Sequence, residues 1–316
     1  MKTGTKKEIK KETKEKTSHT KTNTSSTKNT SSTFHPIPTP SPSPSIILDI
    51  ENISKAFGGV HALDKCTFSV DQGSLTALIG PNGSGKTTMF NVISRLIQED
   101  HGKIILQQSS VDKLADYSLA RQGISRTFQQ VRLFRNLTIR DHLEIALDQD
   151  DESLLKSIKY ELQKIAHAIL TRSSSRNLSS PNPSSPYIAP NTTHKKINKV
   201  LALVGLQKPL TTYVTDLSYG QRKLLDLAIA IAKPHTILLL DEPVAGINPQ
   251  LRDQIKAILR NLHQQGETIL LIEHDMNFVM GLAQKIYVMD HGTVIAQGTP
   301  LQIRTNPQVL QAYLGE

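Results

Sequence analysis

Residues 80–87 read Gly-Pro-Asn-Gly-Ser-Gly-Lys-Thr and directly follow the apolar run Leu75–Ile79. This order predicts a strand, a glycine-rich turn and then a helix over 87–96. Glycine lets the backbone turn tightly, so that several N–H groups converge on phosphate oxygens. The start of the helix adds the positive end of its dipole. The pattern G-x-x-x-x-G-K-[ST] therefore predicts a phosphate-binding loop, and its strand–turn–helix context disfavours a chance glycine-rich turn.

Two side chains at the end of this loop have specific predicted roles. Lys86 can reach the β- and γ-phosphates of a nucleotide, and Thr87 can ligate Mg²⁺. The residues predicted to bind the nucleotide in this region are Gly80, Pro81, Asn82, Gly83, Ser84, Gly85, Lys86, Thr87 and Thr88.

The positive charge of the chain is concentrated at its N-terminus. Residues 1–45 hold nine Lys and three Glu with few large apolar side chains, and the 316-residue chain has a net charge of +9. A segment of this composition is predicted to be a disordered, basic Thr/Ser/Pro-rich tail. The remaining 271 residues carry only +3, so a nucleic-acid partner is not expected. A single cysteine, Cys66, excludes an internal disulfide and fits a reducing cytoplasm.

Strand and helix signals alternate along the rest of the chain. Strands are predicted at 46–50, 66–70, 75–79, 104–106, 237–240 and 268–272, helices at 224–232 and 255–262, and a hairpin over 286–296. Thr138 is predicted to cap a helix, and apolar spacing predicts an amphipathic helix over 154–169. Seven Ser and four Pro at 172–194 predict a flexible insertion, after which a helix pattern resumes at Ile197. The alternation predicts an α/β fold with a mostly parallel sheet.

A second motif places two carboxylates after a buried strand. The sequence Ile237-Leu238-Leu239-Leu240 is followed by Asp241 and Glu242. Asp241 can hold Mg²⁺, directly or through water, and Glu242 can polarise an attacking water as a general base. An exposed acidic loop is the alternative, and the phosphate loop earlier in the chain disfavours it.

A third motif, Leu217-Ser218-Tyr219-Gly220-Gln221, precedes an apolar helix and ends 20 residues before Asp241. Together the motifs resemble the ATPases of the ATP-binding cassette (ABC) family, in which this segment is usually Leu-Ser-Gly-Gly-Gln. The resemblance covers about residues 46–316. It implies ATP and Mg²⁺ as cofactors and a P-loop NTPase fold with a mostly parallel core sheet, an antiparallel β part and a helical subdomain over about 115–230.

The resemblance also implies site residues that spacing alone does not assign. Gln129 corresponds to the glutamine that senses the γ-phosphate and Mg²⁺, His274 to the switch histidine, and Phe57 to the aromatic residue that stacks on adenine. Taken singly, each also has a non-functional interpretation: Gln129 as a loop residue, His274 as a structural histidine and Phe57 as a core residue at the end of a strand. The implied catalytic set is Glu242, His274, Gln129 and Lys86, the metal set is Thr87, Gln129 and Asp241, and Ser218, Gly220 and Gln221 complete the nucleotide site. Asn248 stands where the family commonly has an aspartate, so the two sites are expected to be coupled somewhat differently.

Finer features resemble the ATPase subunits of branched-chain amino acid uptake systems. They include Arg126-Thr127-Phe128-Gln129, the segments 242–249 and 272–276, and the C-terminal Ala312–Glu316. This resemblance implies a head-to-tail dimer with a second cassette, a paralogue or a copy of itself, and two transmembrane permease subunits. It also implies an indirect link to a substrate-binding protein and a peripheral position on the cytoplasmic face of the inner membrane.

Three alternatives remain open from the residues. The ATPase of a lipopolysaccharide exporter is a close relative and shares several of these features. A soluble ABC protein acting on nucleic acid or ribosomes would use the basic tail as a binding arm, but such proteins usually carry two cassettes or a long coiled coil. A regulatory module without turnover is disfavoured by the presence of Lys86, Glu242 and His274.

Overall fold

Two β-sheets form the framework of the protein. The computed structural model describes residues 45–111, 122–147 and 191–314. The core sheet has the strand order β10-β9-β3-β8-β7-β6, and the smaller antiparallel sheet has the order β2-β1-β4-β5. The strands are β1 (Ile46–Phe57), β2 (Val60–Asp71), β3 (Leu75–Ile79), β4 (His101–Leu106), β5 (Ser109–Ser110), β6 (Ile124–Arg126), β7 (Ile237–Asp241), β8 (Ile269–Ile272), β9 (Lys285–Asp290) and β10 (Thr293–Gly298).

The centre of the core sheet is parallel and fully buried. Strand β3 pairs in parallel with β8 and β9, and β7 pairs in parallel with β6 and β8. Every residue of β3, β7 and β8 is buried, which explains their nearly continuous apolar sequences. The carboxyl ends of β3, β7 and β8 therefore lie side by side at one edge of the sheet, where ligands bind in such folds.

The helices follow the same pattern of apolar burial. They are α1 (Lys86–Ile93), α2 (Ile139–Leu147), α3 (Asn191–Val204), α4 (Tyr219–Ala232), α5 (Pro249–Gln264), α6 (Met276–Met280), α7 (Pro300–Arg304) and α8 (Pro307–Leu314). Helices α2, α3 and α4 pack against one another. Their buried side chains, among them Leu143, Ile197 and Leu225, belong to the same hydrophobic cluster as those of β3 and β7. The packing joins the third sequence motif, at the start of α4, to the core sheet.

The predicted α/β architecture is confirmed, whereas the bounds of several elements differ from the predicted ones. Strands β1 and β2 are each 12 residues long because they form a continuous hairpin through Gly58 and Gly59. Helix α1 ends at Ile93 rather than residue 96. Strand β6 was not predicted, because three residues carry too little pattern. The hairpin over 286–296 is confirmed as β9 and β10.

Side-chain caps set the start of two helices, one that apolar spacing had missed and one that was predicted. Helix α5 begins at Pro249 because the Asn248 side chain accepts a hydrogen bond from the N–H of Leu251. Thr138 and Asp141 form the predicted reciprocal cap before α2, where the Asp141 carboxylate accepts from the N–H of Thr138 at 2.8 Å.

Some sequence predictions fall on residues outside the described part of the chain. These are the tail up to residue 44, the amphipathic helix over 154–169 and residues 172–190 of the Ser/Pro-rich insertion. Helix α3 begins at Asn191, so residues 191–194 are helical rather than part of the insertion.

Two glycines in the phosphate loop are required by close backbone approach. Gly80 and Gly85 have φ angles of 152° and 100°. A Cβ atom would lie 2.1 Å from the carbonyl oxygen of Met289 at Gly80, and 2.4 Å from that of Ala62 at Gly85. Strands β9 and β2, which contain Met289 and Ala62, therefore pack directly against the backbone of the loop.

We expect Gly85→Ala to destabilise the protein more than Gly83→Ala. Both positions have positive φ, but a Cβ at Gly83 would meet no atom within 4 Å. The strained backbone alone costs about 1 kcal/mol, and the clash at Gly85 raises the cost above about 2 kcal/mol. Urea unfolding of the two variants and the wild type measures the difference. Equal free energies of unfolding for the two variants would contradict the assigned packing.

Candidate active site

The phosphate loop lies at the carboxyl end of β3 and the start of α1. Lys86 is buried, and its Nζ donates hydrogen bonds to the carbonyl oxygens of Gly80 at 2.9 Å and Pro81 at 2.7 Å. The Oγ atom of Ser84 lies 3.3 Å from the same nitrogen. Burial lowers the pKa of Lys86, whereas the carboxylates of Glu242 and Asp241 raise it. The ammonium of Lys86 therefore lies at the centre of the loop. It can donate its hydrogen bonds to phosphate oxygens in place of these carbonyl oxygens when a nucleotide binds.

Asp241 ends β7 as a buried carboxylate that is paired with Arg126. Its side chain is 2% exposed, and its Oδ2 lies 3.0 Å from Nη2 of Arg126 at the end of β6. Burial raises the pKa of Asp241, and the guanidinium of Arg126 lowers it. The other oxygen, Oδ1, has no hydrogen-bond partner within the described residues. Since Mg²⁺ takes oxygen ligands, this buried carboxylate oxygen fits the predicted metal role.

Three predicted residues meet beside Asp241. Glu242 has a φ of 47°, and its side-chain Oε2 accepts a hydrogen bond from Nε2 of Gln129 at 2.9 Å. Nδ1 of His274 lies 3.9 Å from Oε1 of Glu242. These side chains follow β6, β7 and β8, which are neighbouring parallel strands. The sheet therefore brings together residues that are up to 145 positions apart in the chain.

Glu273 supports this cluster and was missed by sequence reasoning. Its fully buried carboxylate accepts hydrogen bonds from the N–H of Val244 at 3.1 Å and the N–H of His274 at 3.2 Å. Burial raises its pKa, and these backbone bonds lower it. Glu273 thus ties the loop after β7 to the loop after β8. The only sequence signal was a carboxylate directly after an apolar strand.

Two buried cations were also missed. Arg126 lies within the motif that contains Gln129, but its contact with Asp241 depends on strand β6, which was not predicted. Lys223 lies on α4, and its Nζ donates to the carbonyl oxygens of Gln129 at 3.0 Å and Glu242 at 3.2 Å. A lysine inside an apolar helix was the available signal.

The third motif lies at the N-terminus of α4. Ser218 caps the helix by accepting from the N–H of Gln221, whose side chain accepts in turn from the N–H of Ser218 at 3.0 Å. Ser218, Gly220 and Gln221 line a cavity of about 610 Å³. A different cavity, of about 760 Å³, includes the outer residues of the phosphate loop, and the two linings share no residue. The third motif and the outer part of the phosphate loop therefore line different cavities of this chain.

The remaining predicted residues lie at accessible positions. Phe57 ends β1 with 47% of its surface exposed, and Nζ of Lys55 lies 5.5 Å from its ring centroid. Thr87 is exposed at the second position of α1, and Thr88 is half-buried. Their roles stay predictions.

The fold and the site define a nucleotide-binding α/β ATPase whose phosphate loop and paired carboxylates lie at one edge of a parallel sheet. A family model described as ABC transporter matches residues 63–245. A second, described as branched-chain amino acid ATP-binding cassette transporter, matches residues 293–316. The chain belongs to the ABC transporter family as an ATP-binding cassette, and it binds and hydrolyses ATP.

This chain aligns with nearly the whole length of several curated relatives. The high-affinity branched-chain amino acid transport ATP-binding protein LivG of Escherichia coli (strain K12) is 36% identical over 273 residues, which cover 85% of this chain and 98% of the relative. BraF of Pseudomonas aeruginosa, with the same description, is 35% identical over 271 residues, with coverage of 85% and 98%. A probable LivG of Archaeoglobus fulgidus is 32% identical over 269 residues, with coverage of 85% and 95%.

Solved structures agree with the fold. A nucleotide-free ATP-binding cassette of an ABC transporter superposes with a TM-score of 0.68 at 30% identity, covering 86% of this chain and all of that one. An ATP-binding cassette of an ABC transporter in its ADP conformation superposes with a TM-score of 0.65 at 29% identity, with the same coverage of both chains. The predicted P-loop NTPase fold is therefore confirmed. Among the described residues, no helix is both long enough and apolar enough to cross a bilayer.

Proposed function

We propose that this protein is the ATP-hydrolysing subunit of an importer for branched-chain amino acids, bound peripherally at the cytoplasmic face of the cell membrane. The observation that carries the catalytic part is the meeting of Gln129, Glu242 and His274 at the edge of the sheet where the phosphate loop also begins. The transported solute is supported by the names of the relatives and by the match over 293–316. A lipopolysaccharide exporter is not favoured by these relatives.

Hydrolysis follows from the positions of the cluster. Lys86 neutralises the β- and γ-phosphates, and Glu242 orients the attacking water and accepts its proton. Gln129 and His274 lie on either side of the Glu242 carboxylate, where they position the water and the γ-phosphate. Thr87, Gln129 and Asp241 would hold Mg²⁺ through their side-chain oxygen atoms. When bound, Mg²⁺ neutralises phosphate charge in the transition state.

A second cassette completes the site in this proposal. Ser218 and Gly220 lie at a helix N-terminus, which favours phosphate, yet they line a cavity separate from the phosphate loop of their own chain. A head-to-tail dimer, with a paralogue or with a second copy, lets Ser218 of one cassette close over ATP held by Lys86 of the other. Association is then tightest with ATP bound and loosens after hydrolysis.

A groove beside the active site suits a permease helix. Its lining includes Leu133, Arg135, Tyr219 and Arg222. Phe134, next to this lining, is 66% exposed, and its N–H donates to Nε2 of His142 at 3.0 Å, which fixes the loop. An exposed aromatic ring on a fixed loop, with arginines alongside, is a typical anchor for a protein partner.

Purification of the tagged protein from its native membranes tests this function. We expect two permeases and a second cassette to copurify, and membrane vesicles with the binding protein to take up labelled leucine, isoleucine or valine only with ATP inside. Copurification with lipid-export subunits would instead identify an exporter. Loss of nucleic-acid binding together with loss of function after removal of residues 1–45 would instead favour a soluble ABC protein that acts on nucleic acid or ribosomes.

We expect Phe134→Ala to lower recovery of the permeases about 10-fold, because it removes an exposed apolar anchor of the groove. ATP affinity is expected to be unchanged, since Phe134 is not among the residues that line the cavity at the phosphate loop. Leu301→Ala is a matched control, because Leu301 is 73% exposed on α7 outside the groove. Equal permease recovery for the two variants would contradict the assignment of the groove.

A further inference from the structure

Lys223 is a buried cation that the ATPase mechanism above does not use. It lies in the second turn of α4, and only 4% of its surface is exposed. Its ammonium donates to the carbonyl oxygens of Gln129 at 3.0 Å and Glu242 at 3.2 Å. These two residues are also joined through their side chains, at 2.9 Å. One ammonium therefore bridges the backbones of both members of a side-chain pair.

The burial of this ammonium needs compensation, because an unpaired charge inside a protein is costly. Burial lowers the pKa of Lys223, and nearby carboxylates, first Asp226 and then Glu273, raise it. The two carbonyl bonds occupy two of its three donors. An apolar residue would fill this space in the helix without the cost of burying a charge. What lysine adds at this position is the hydrogen-bonded bridge between the two carbonyl groups.

We propose that Lys223 is a positioning residue for ATP hydrolysis, which holds the Gln129 and Glu242 backbones at a fixed separation from helix α4. The inference rests on the proposed function, in which these two side chains orient the attacking water. Lys223 itself touches neither nucleotide nor water in this account. Loss of the bridge is expected to lower the turnover number, because a general base that is misplaced by about 1 Å loses much of its rate advantage.

The bridge has a consequence for communication between the two nucleotide sites. Helix α4 begins at the cap formed by Ser218, five residues before Lys223. In the head-to-tail dimer, Ser218 touches the nucleotide held by the other cassette. A displacement of α4 by that nucleotide therefore moves the carbonyl groups of Gln129 and Glu242 directly.

Lys223→Met tests the proposal in the purified full-length protein. Methionine retains the length and apolar stem of lysine but donates no hydrogen bond. We expect the turnover number to fall about 10- to 100-fold, with the dissociation constant for a fluorescent ATP analogue and the KM for ATP within about twofold of wild type. Lys223→Arg retains the charge and donors, and we expect it to recover turnover to within about threefold of wild type.

Lys233→Met is the matched control, because Lys233 follows the last residue of the same helix, away from both carbonyl groups. It should keep turnover within about twofold of wild type. Turnover near wild type in Lys223→Met overturns the proposal, as does a parallel loss of turnover, ATP affinity and melting temperature. If Lys223→Met does not fold, Lys223→Gln, which is too short to bridge both carbonyls, is judged by the same criteria. A wild-type protein without ATPase activity overturns the proposed function, whereas an active wild type with an unaffected variant overturns this inference alone.

Discussion

Glu242→Gln is expected to lower the turnover number for ATP at least about 100-fold, because it removes the carboxylate that accepts a proton from the attacking water. Glutamine has the same shape, and its amide oxygen can still accept the hydrogen bond that Nε2 of Gln129 donates to Glu242. ATP affinity should therefore stay within about threefold of wild type. Steady-state hydrolysis and equilibrium binding of a fluorescent ATP analogue measure the two quantities separately.

The same variant also tests the association of cassettes. With Mg-ATP bound and hydrolysis blocked, we expect a stable pair of cassettes in size-exclusion chromatography, alone or with the paralogue. Asp253→Asn is a suitable control, because it also converts an acid to an amide, at an exposed position of α5. Turnover of Glu242→Gln close to wild type would show that Glu242 is not the general base.

Lys86→Ala is expected to weaken ATP binding about 10- to 100-fold, since an ammonium bound to phosphate is among the strong charge-assisted interactions. Hydrolysis should be lost at ordinary ATP concentrations for the same reason. The substitution also leaves the carbonyl oxygens of Gly80 and Pro81 without the donor that now joins them. The loop is therefore expected to lose order as well as charge.

Titration with the fluorescent ATP analogue provides the measurement. Lys103→Ala removes an equal charge from an exposed position on β4 and serves as the control for general electrostatic attraction. If both variants bound ATP as tightly as wild type, the phosphate-binding role of Lys86 would be wrong. If both lost affinity equally, net charge rather than the loop would explain the binding.

The elements that were predicted correctly share one property, which is that their pattern is local. Strands β3, β7 and β8 are short apolar runs buried on both faces, and such runs are recognisable one at a time. The first turn of α4 was missed because it is polar and is stabilised by the Ser218 cap rather than by apolar spacing. Strand β6 was missed because its three residues become a strand only by pairing with β7.

The residues of the site likewise divide into those that the sequence indicated and those that only the structure revealed. Asp241 and Glu242 were identified from a strand followed by two acids, and the resemblance to a family supplied Gln129 and His274. No pattern pointed to Arg126 as the partner of Asp241, or to Glu273 as the link between two loops. These contacts join residues between 29 and 115 positions apart, which sequence spacing does not encode.

The sequence by itself determined the phosphate loop, because a cradle of backbone N–H groups depends on glycines, a lysine and a helix start that are neighbours in the chain. It also determined the buried strands that flank the loop. Only the tertiary structure decided that Gln129, Glu242 and His274 meet, and that Lys223 bridges two of their backbones. The reason is that parallel strands carry distant segments to one edge of a sheet, where the order of strands, rather than the order of residues, sets which side chains are neighbours.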